Sequence, residues 1–182
     1  TQQMPDLYID VQNAVSMLYR LERAAIDTGD RWNEIADKAQ LRRGDGSNAF
    51  TLPHWMLALV RTERFGAARE LIDGATEFAA NLHPAQAAPL QQAAIPVCEA
   101  ILLDARGAAG DGLARMRPAL AALHTLGGSH AQQDLLERVY AGMAMRAGST
   151  ADLALILQRV RAKRPAPLEE RAAWSDVLAS MG

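Results

Sequence analysis

The chain has 182 residues and a formal charge of −2, with acidic and basic residues intermixed. That length is enough for a full core in one domain, and without a block of like charges it carries no electrostatic footprint for nucleic acid. Hydrophobic residues make up 49% of the sequence, but no apolar run reaches the length of a bilayer span, so no membrane partner is expected. Alanine occurs 36 times; it favours helix, and its small side chain lets helices approach closely. The lone cysteine, Cys98, allows no intrachain disulfide, which fits a reducing interior and a cytoplasmic location. It lies in the apolar run Ile95-Pro96-Val97-Cys98 and reads as core. The sequence begins at Thr1, not Met, and is expected to continue upstream.

The first helix is expected from Asp6 or Asp10 to Thr28. Val11, Ala14, Val15, Leu18, Leu21 and Ala25 form one buried face, and Gly29 ends the helix. Leu7, Tyr8, Met17 and Leu21 spread over more than one face. This predicts exposed apolar surface, and with it a homodimer contact or fraying of the first turn. Asp30 caps a second helix carrying Trp32, Ile35, Ala36 and Ala39, and Gly44 to Asn48 is a loop. The third helix contains Pro53 and ends near Arg61; the fourth runs from Phe65 to Asn81. Pro89 and Pro96 predict a late start or kink in the fifth, which ends at Gly107. Asp111 is expected to cap a sixth helix bent at Pro118. A seventh runs from Ser129 to Ala147, an eighth opens at Ser149 or Thr150, and a ninth follows Pro165 and Pro167 with Leu168, Trp174, Val177 and Leu178. No strand pattern of useful length is present.

The strongest pattern is Leu52-x2-Trp55-Met56-x2-Leu59 followed by Phe65, Ala68, Ile72 and Ala75. Large residues at helical spacing, a short break, then small residues where two helices must meet, are the mark of a tetratricopeptide-type hairpin. A looser copy runs from Tyr140 to Pro165 with Gly148 at its turn. The expected fold is all-α: TPR-like antiparallel hairpins stacked as an α-α superhelix, in a single domain over residues 1–182.

Ser129, His130 and Asp134 lie close in sequence, but a hydrolytic triad needs the imidazole between the hydroxyl and the carboxylate, and adjacent helix residues point apart. Gly128, Ser129 and Gln132 instead read as a helix stop followed by a capping box. His54, His83, His124 and His130 form no i, i+4 pair and have no second cysteine near them, so no metal site is expected, and no cofactor motif is present. The loop Gly44-Asp45-Gly46-Ser47-Asn48 lacks the spaced ligands of a calcium loop and the lysine of a phosphate loop. Helix starts of the same sense gather at one edge of a hairpin stack. Arg31, His54, His130, Gln133 and Asp134 are therefore the expected binding residues, with Arg31 the least well placed because its helix runs in the opposite sense.

The segments Ser16-Met17-Leu18-Tyr19-Arg20-Leu21, Gly29-Asp30-Arg31-Trp32, Phe50 with His54, and Pro96-Val97-Cys98 recur in an informative order. They are followed by the string Leu126-Gly127-Gly128-Ser129-His130-Ala131-Gln132-Gln133-Asp134 and by Lys163-Arg164-Pro165. Together they resemble the C-terminal part of the tetratricopeptide repeat protein 38 family over Val11 to Arg171. The resemblance implies a helical-repeat fold, an intracellular setting and a longer parent protein. It implies no reaction and no catalytic residues. The functional expectation is thus a TPR-like module that binds a peptide or protein in a concave groove. The alternative is an enzyme or small-molecule binder with a polar pocket between hairpins.

Overall fold

The structure, a computed structural model, describes residues 8–163 and 174–181, and of residues 130 and 131 the backbone alone. It is all-α: no strand occurs among the described residues. The helices are α1 (Tyr8–Arg23), α2 (Arg31–Gln40), α3 (Leu52–Arg61), α4 (Phe65–Ala80), α5 (Pro84–Pro89), α6 (Ile95–Ala105), α7 (Ala109–Met116), α8 (His130–Arg146), α9 (Thr150–Lys163) and α10 (Ser175–Ala179). A π segment, Leu90–Ala94, joins α5 to α6, and a 3-10 segment, Pro118–Leu126, follows α7. None of the described helices is long and apolar enough to cross a membrane. Leu168 and the rest of the start of the expected ninth helix lie outside the described residues; Trp174, Val177 and Leu178 belong to α10 or flank it.

One backbone device recurs at the end of α1, α3, α6 and α8. A residue with positive φ follows the helix, and the next N–H reaches back five residues to close a Schellman turn. The positive-φ residues are Ala25 (φ 57), Glu63 (φ 56), Gly107 (φ 83) and Gly148 (φ 63). The closing bonds are Ile26 to Leu21 at 2.9 Å, Arg64 to Leu59 at 2.9 Å, Ala108 to Leu103 at 3.0 Å and Ser149 to Ala144 at 2.9 Å. Three of these turns lead straight into the next helix, giving the hairpins α3–α4, α6–α7 and α8–α9.

The expected boundaries shift where this device acts. The first helix stops at Arg23, short of Thr28, because Ala25 takes the left-handed conformation. Gly29 serves the following turn, where its N–H donates to Asp27 Oδ1 at 2.8 Å. Asp111 falls inside the first turn of α7 and not at its cap, because the Gly107 turn delivers the chain into the helix at Ala108. Asp30 occupies the cap position of α2 but makes no side-chain cap bond. Ser129 does cap α8: Gln132 N–H donates to its Oγ at 3.3 Å, and Ser129 N–H donates to Gln132 Oε1 at 2.8 Å. Between the two prolines of the fifth segment the helical path is interrupted by the π turn, and the regular α6 starts only at Ile95. Pro96 has no N–H for the carbonyl four residues back, and the chain between Pro89 and Pro96 widens into the π turn. After Pro118 the chain tightens into 3-10 geometry for nine residues.

The first helices of successive hairpins, α1, α3 and α6, lie side by side, with α3 at the centre. Leu52 to Val60 of α3 are all buried. Ala68 on α4 is 0% exposed, and Trp32, Trp55 and Trp174 are core residues. Helix α8 returns to pack against α1. The Tyr19 hydroxyl donates to the Arg138 carbonyl at 3.3 Å, and Gln132 Nε2 donates to Gln12 Oε1 at 3.4 Å. Helix α3 itself is enclosed by α1, α2, α4 and α6. Buried Asp152 of α9 ties Arg117, at the junction of α7 and the 3-10 segment, to α8. It accepts from Arg117 at 2.8 and 2.9 Å, from Ser149 Oγ at 2.6 Å and from the Tyr140 hydroxyl. The Arg117 guanidinium holds the Asp152 carboxyl well below the usual carboxylate range.

Candidate functional site

Three of the expected binding residues, His54, Gln133 and Asp134, are buried in the first turns of α3 and α8, the two helices that pack against α1. His54, in the first turn of α3, is 1% exposed; its Nδ1–H donates to the Phe50 carbonyl at 2.9 Å, which leaves Nε2 as the unprotonated nitrogen. Burial pushes its pKa down from 6.5 to about 4, and the Arg20 guanidinium from α1 adds to the effect. Gln133 is buried and donates from Nε2 to the Gly127 carbonyl at 3.0 Å, fastening α8 to the loop before it. Asp134 is buried and accepts from Arg138 Nε at 2.6 Å and Arg20 Nη2 at 3.5 Å. Gly128 closes this neighbourhood: a Cβ there would stand 2.8 Å from the Phe50 ring, which itself packs edge-on to His54 at 5.0 Å. His54 and Asp134 thus share Arg20 as a neighbour. Arg31 is not part of this group. It lies across α1, with Nη1 donating to the Thr28 carbonyl at 2.8 Å, on the wall of a separate cleft that includes Asp10, Met17 and Glu34. The backbone of His130 opens α8 beside Ser129; its side chain lies outside the described atoms.

A polar chain connects the same three helices. Gln12 on α1 donates from Nε2 to Thr51 Oγ1 at 2.7 Å, at the start of α3, and accepts from Gln132 at the start of α8. Gln12 and Thr51 are buried, so their bonds fix the register of α1 against both neighbours and leave neither polar group unsatisfied.

Above this chain runs an open groove of about 510 Å³ along the seam of α1 and α8. It is lined by Asn13, Ser16, Met17, Arg20, Leu21 and Gln132. Met17 is 57% exposed, although the flanking positions Val15, Ser16, Leu18 and Tyr19 are buried. Arg20 is held across the groove wall, with Nη1 donating to the Ser16 carbonyl at 3.1 Å and Nη2 on Asp134. The groove therefore carries amides, a guanidinium and a thioether along one open edge, with the buried Ser16 hydroxyl bonded to Arg20 in its wall. Its residues overlap the expected set only through contacts: Asp134 positions Arg20, and Gln132 neighbours Gln133. A sequence signal for it existed in Met17, which interrupts the apolar stripe of α1.

The fold and groove define the protein as an all-α chain of packed hairpins with an open cleft on its first helix. No family model matches the chain, and no solved structure matches it.

Proposed function

We propose that the chain is an interaction module, a TPR-like array of hairpins closed upon itself, that takes a polypeptide segment from a partner protein along the α1–α8 groove. The observation carrying this reading is the groove's composition. Exposed Met17 and half-buried Leu21 give a strip of apolar surface, and Asn13, Ser16, Arg20 and Gln132 beside it supply donors and acceptors suited to a peptide backbone. Methionine and arginine are enriched at protein interfaces, and an apolar strip with a polar rim is their usual anatomy. His54, Gln133 and Asp134 support the groove from beneath and do not line it: Asp134 orients Arg20, and Gln133 anchors the start of α8. The reading is tested by selecting binders from a displayed peptide library with the purified chain. Their affinities are then measured for Met17→Asp and Asn13→Trp, both exposed positions. Enriched peptides losing roughly ten-fold or more on either variant support the proposal. Selected peptides that bind both variants as well as the parent chain would place the binding surface elsewhere.

A further inference from the structure

Another cleft, of about 650 Å³, shares no lining residue with the groove. Its two walls are the π segment and the 3-10 segment, which pack against each other. Both are uncommon backbone forms. A π turn within a helical path is rare and frequently marks a site, and 3-10 runs seldom exceed three or four residues, whereas this one spans nine. Places where local geometry departs from the ordinary on both sides of one cavity are where function is expected.

The chemistry of the lining is one-sided. Arg115 and His124 are its ionisable members, and no carboxylate lines it. Arg115 donates from Nε to Glu99, which holds the guanidinium from behind; its terminal nitrogens have no hydrogen-bond partner among the described residues. His124 donates from Nδ1–H to the Ala121 carbonyl at 2.8 Å, so Nε2 is left over. Gln91 and Gln92 add exposed amides from the π segment, and the floor is aliphatic, with Pro96, Pro118, Ala119 and Ala122. The volume falls in the range of small-molecule sites, and an aliphatic floor with a guanidinium at one end suits a ligand of matching polarity.

We propose that this cleft binds a small organic monocarboxylate. The carboxylate sits on the Arg115 terminal nitrogens within reach of the glutamine amides, and the apolar body lies on the proline and alanine floor.

The test titrates the whole chain with 3-phenylpropionate, octanoate and the neutral 3-phenylpropionamide, read by amide chemical shifts and calorimetry. The expected result is saturable binding of the carboxylates, with shifts gathered on residues 91–96 and 115–125, and clearly weaker binding of the amide. Arg115→Gln, an exposed change, should weaken the carboxylates by roughly ten-fold or more, the usual weight of a charge-assisted bond. Ala122→Leu should block the floor. If Ala122→Leu fails to fold, Arg115→Gln alone decides. Equal affinity for the amide, carboxylate binding unchanged in Arg115→Gln, or no shifts at these residues at millimolar ligand would each overturn the proposal.

Discussion

His54 should make the protein sensitive to mild acid. The buried imidazole is held neutral, with its pKa at about 4 against 6.5 in an exposed side chain. Below pH 6.5 the unfolded chain takes up a proton that the folded chain refuses until about pH 4, so stability falls as pH drops through that window and the loss is complete near its lower edge. At about 1.36 kcal/mol for each pH unit, the full effect is about 3 kcal/mol. Carboxylates with depressed pKa values, such as Asp152, lose their contribution only below about 3.8 and act outside the window. His54→Gln keeps a donor for the Phe50 carbonyl and removes the titration. Urea unfolding of both proteins at intervals from pH 7 to 4.5 should show the parent losing about 2 kcal/mol or more relative to the variant. Parallel curves for the two proteins would mean that the imidazole titrates alike in the folded and unfolded chain, and that His54 is open to water and not buried at the start of α3.

Gly74 on α4 has no room for a side chain, since a Cβ there would stand 2.3 Å from the Arg43 carbonyl oxygen. Gly74→Ala should therefore cost about 1–3 kcal/mol in urea unfolding despite its better helix propensity, and an unchanged midpoint would refute the close approach. Ser129→Ala should cost about 0.5–2 kcal/mol by removing the α8 cap, with Ser129→Asp retaining most of the stability; thermal melts that do not separate the two would remove the cap's role. Glu63→Gly should raise stability by up to about 1 kcal/mol, because a left-handed non-glycine residue is strained at the α3–α4 turn. A loss there would mean that Glu63 makes a stabilising contact which outweighs the strain.

How far the sequence reveals this structure depends on the range of the interactions. The α3–α4 hairpin was legible because its signal is local: Trp55, Met56 and Leu59 face the core one turn apart, and Ala68 and Ala75 leave room for the partner helix. The α8 cap was legible for the same reason, since Ser129 and Gln132 are three residues apart. The end of α1 was misread because Ala25 adopts positive φ without a glycine to mark it, while the real glycine, Gly29, serves a different turn. The π and 3-10 segments were visible only as prolines, because proline fixes where a helix is disturbed but not how the chain recovers. The burial of Gln133 and Asp134 was hidden, since α8 meets α1 across more than a hundred residues of sequence, as in the contact of Gln132 with Gln12. That same contact creates the groove, which is why Asn13, Ser16 and Arg20 carried no signal of their own.

The central functional claim is that polypeptide partners lie along α1. It is tested most directly by mapping backbone and methyl chemical shifts while titrating the labelled chain with a peptide selected against it. The account predicts perturbations gathered on Asn13, Ser16, Met17, Arg20, Leu21 and Gln132, with Met17 among the largest. Perturbations confined to other surfaces, with α1 and the start of α8 unmoved at saturation, would contradict it.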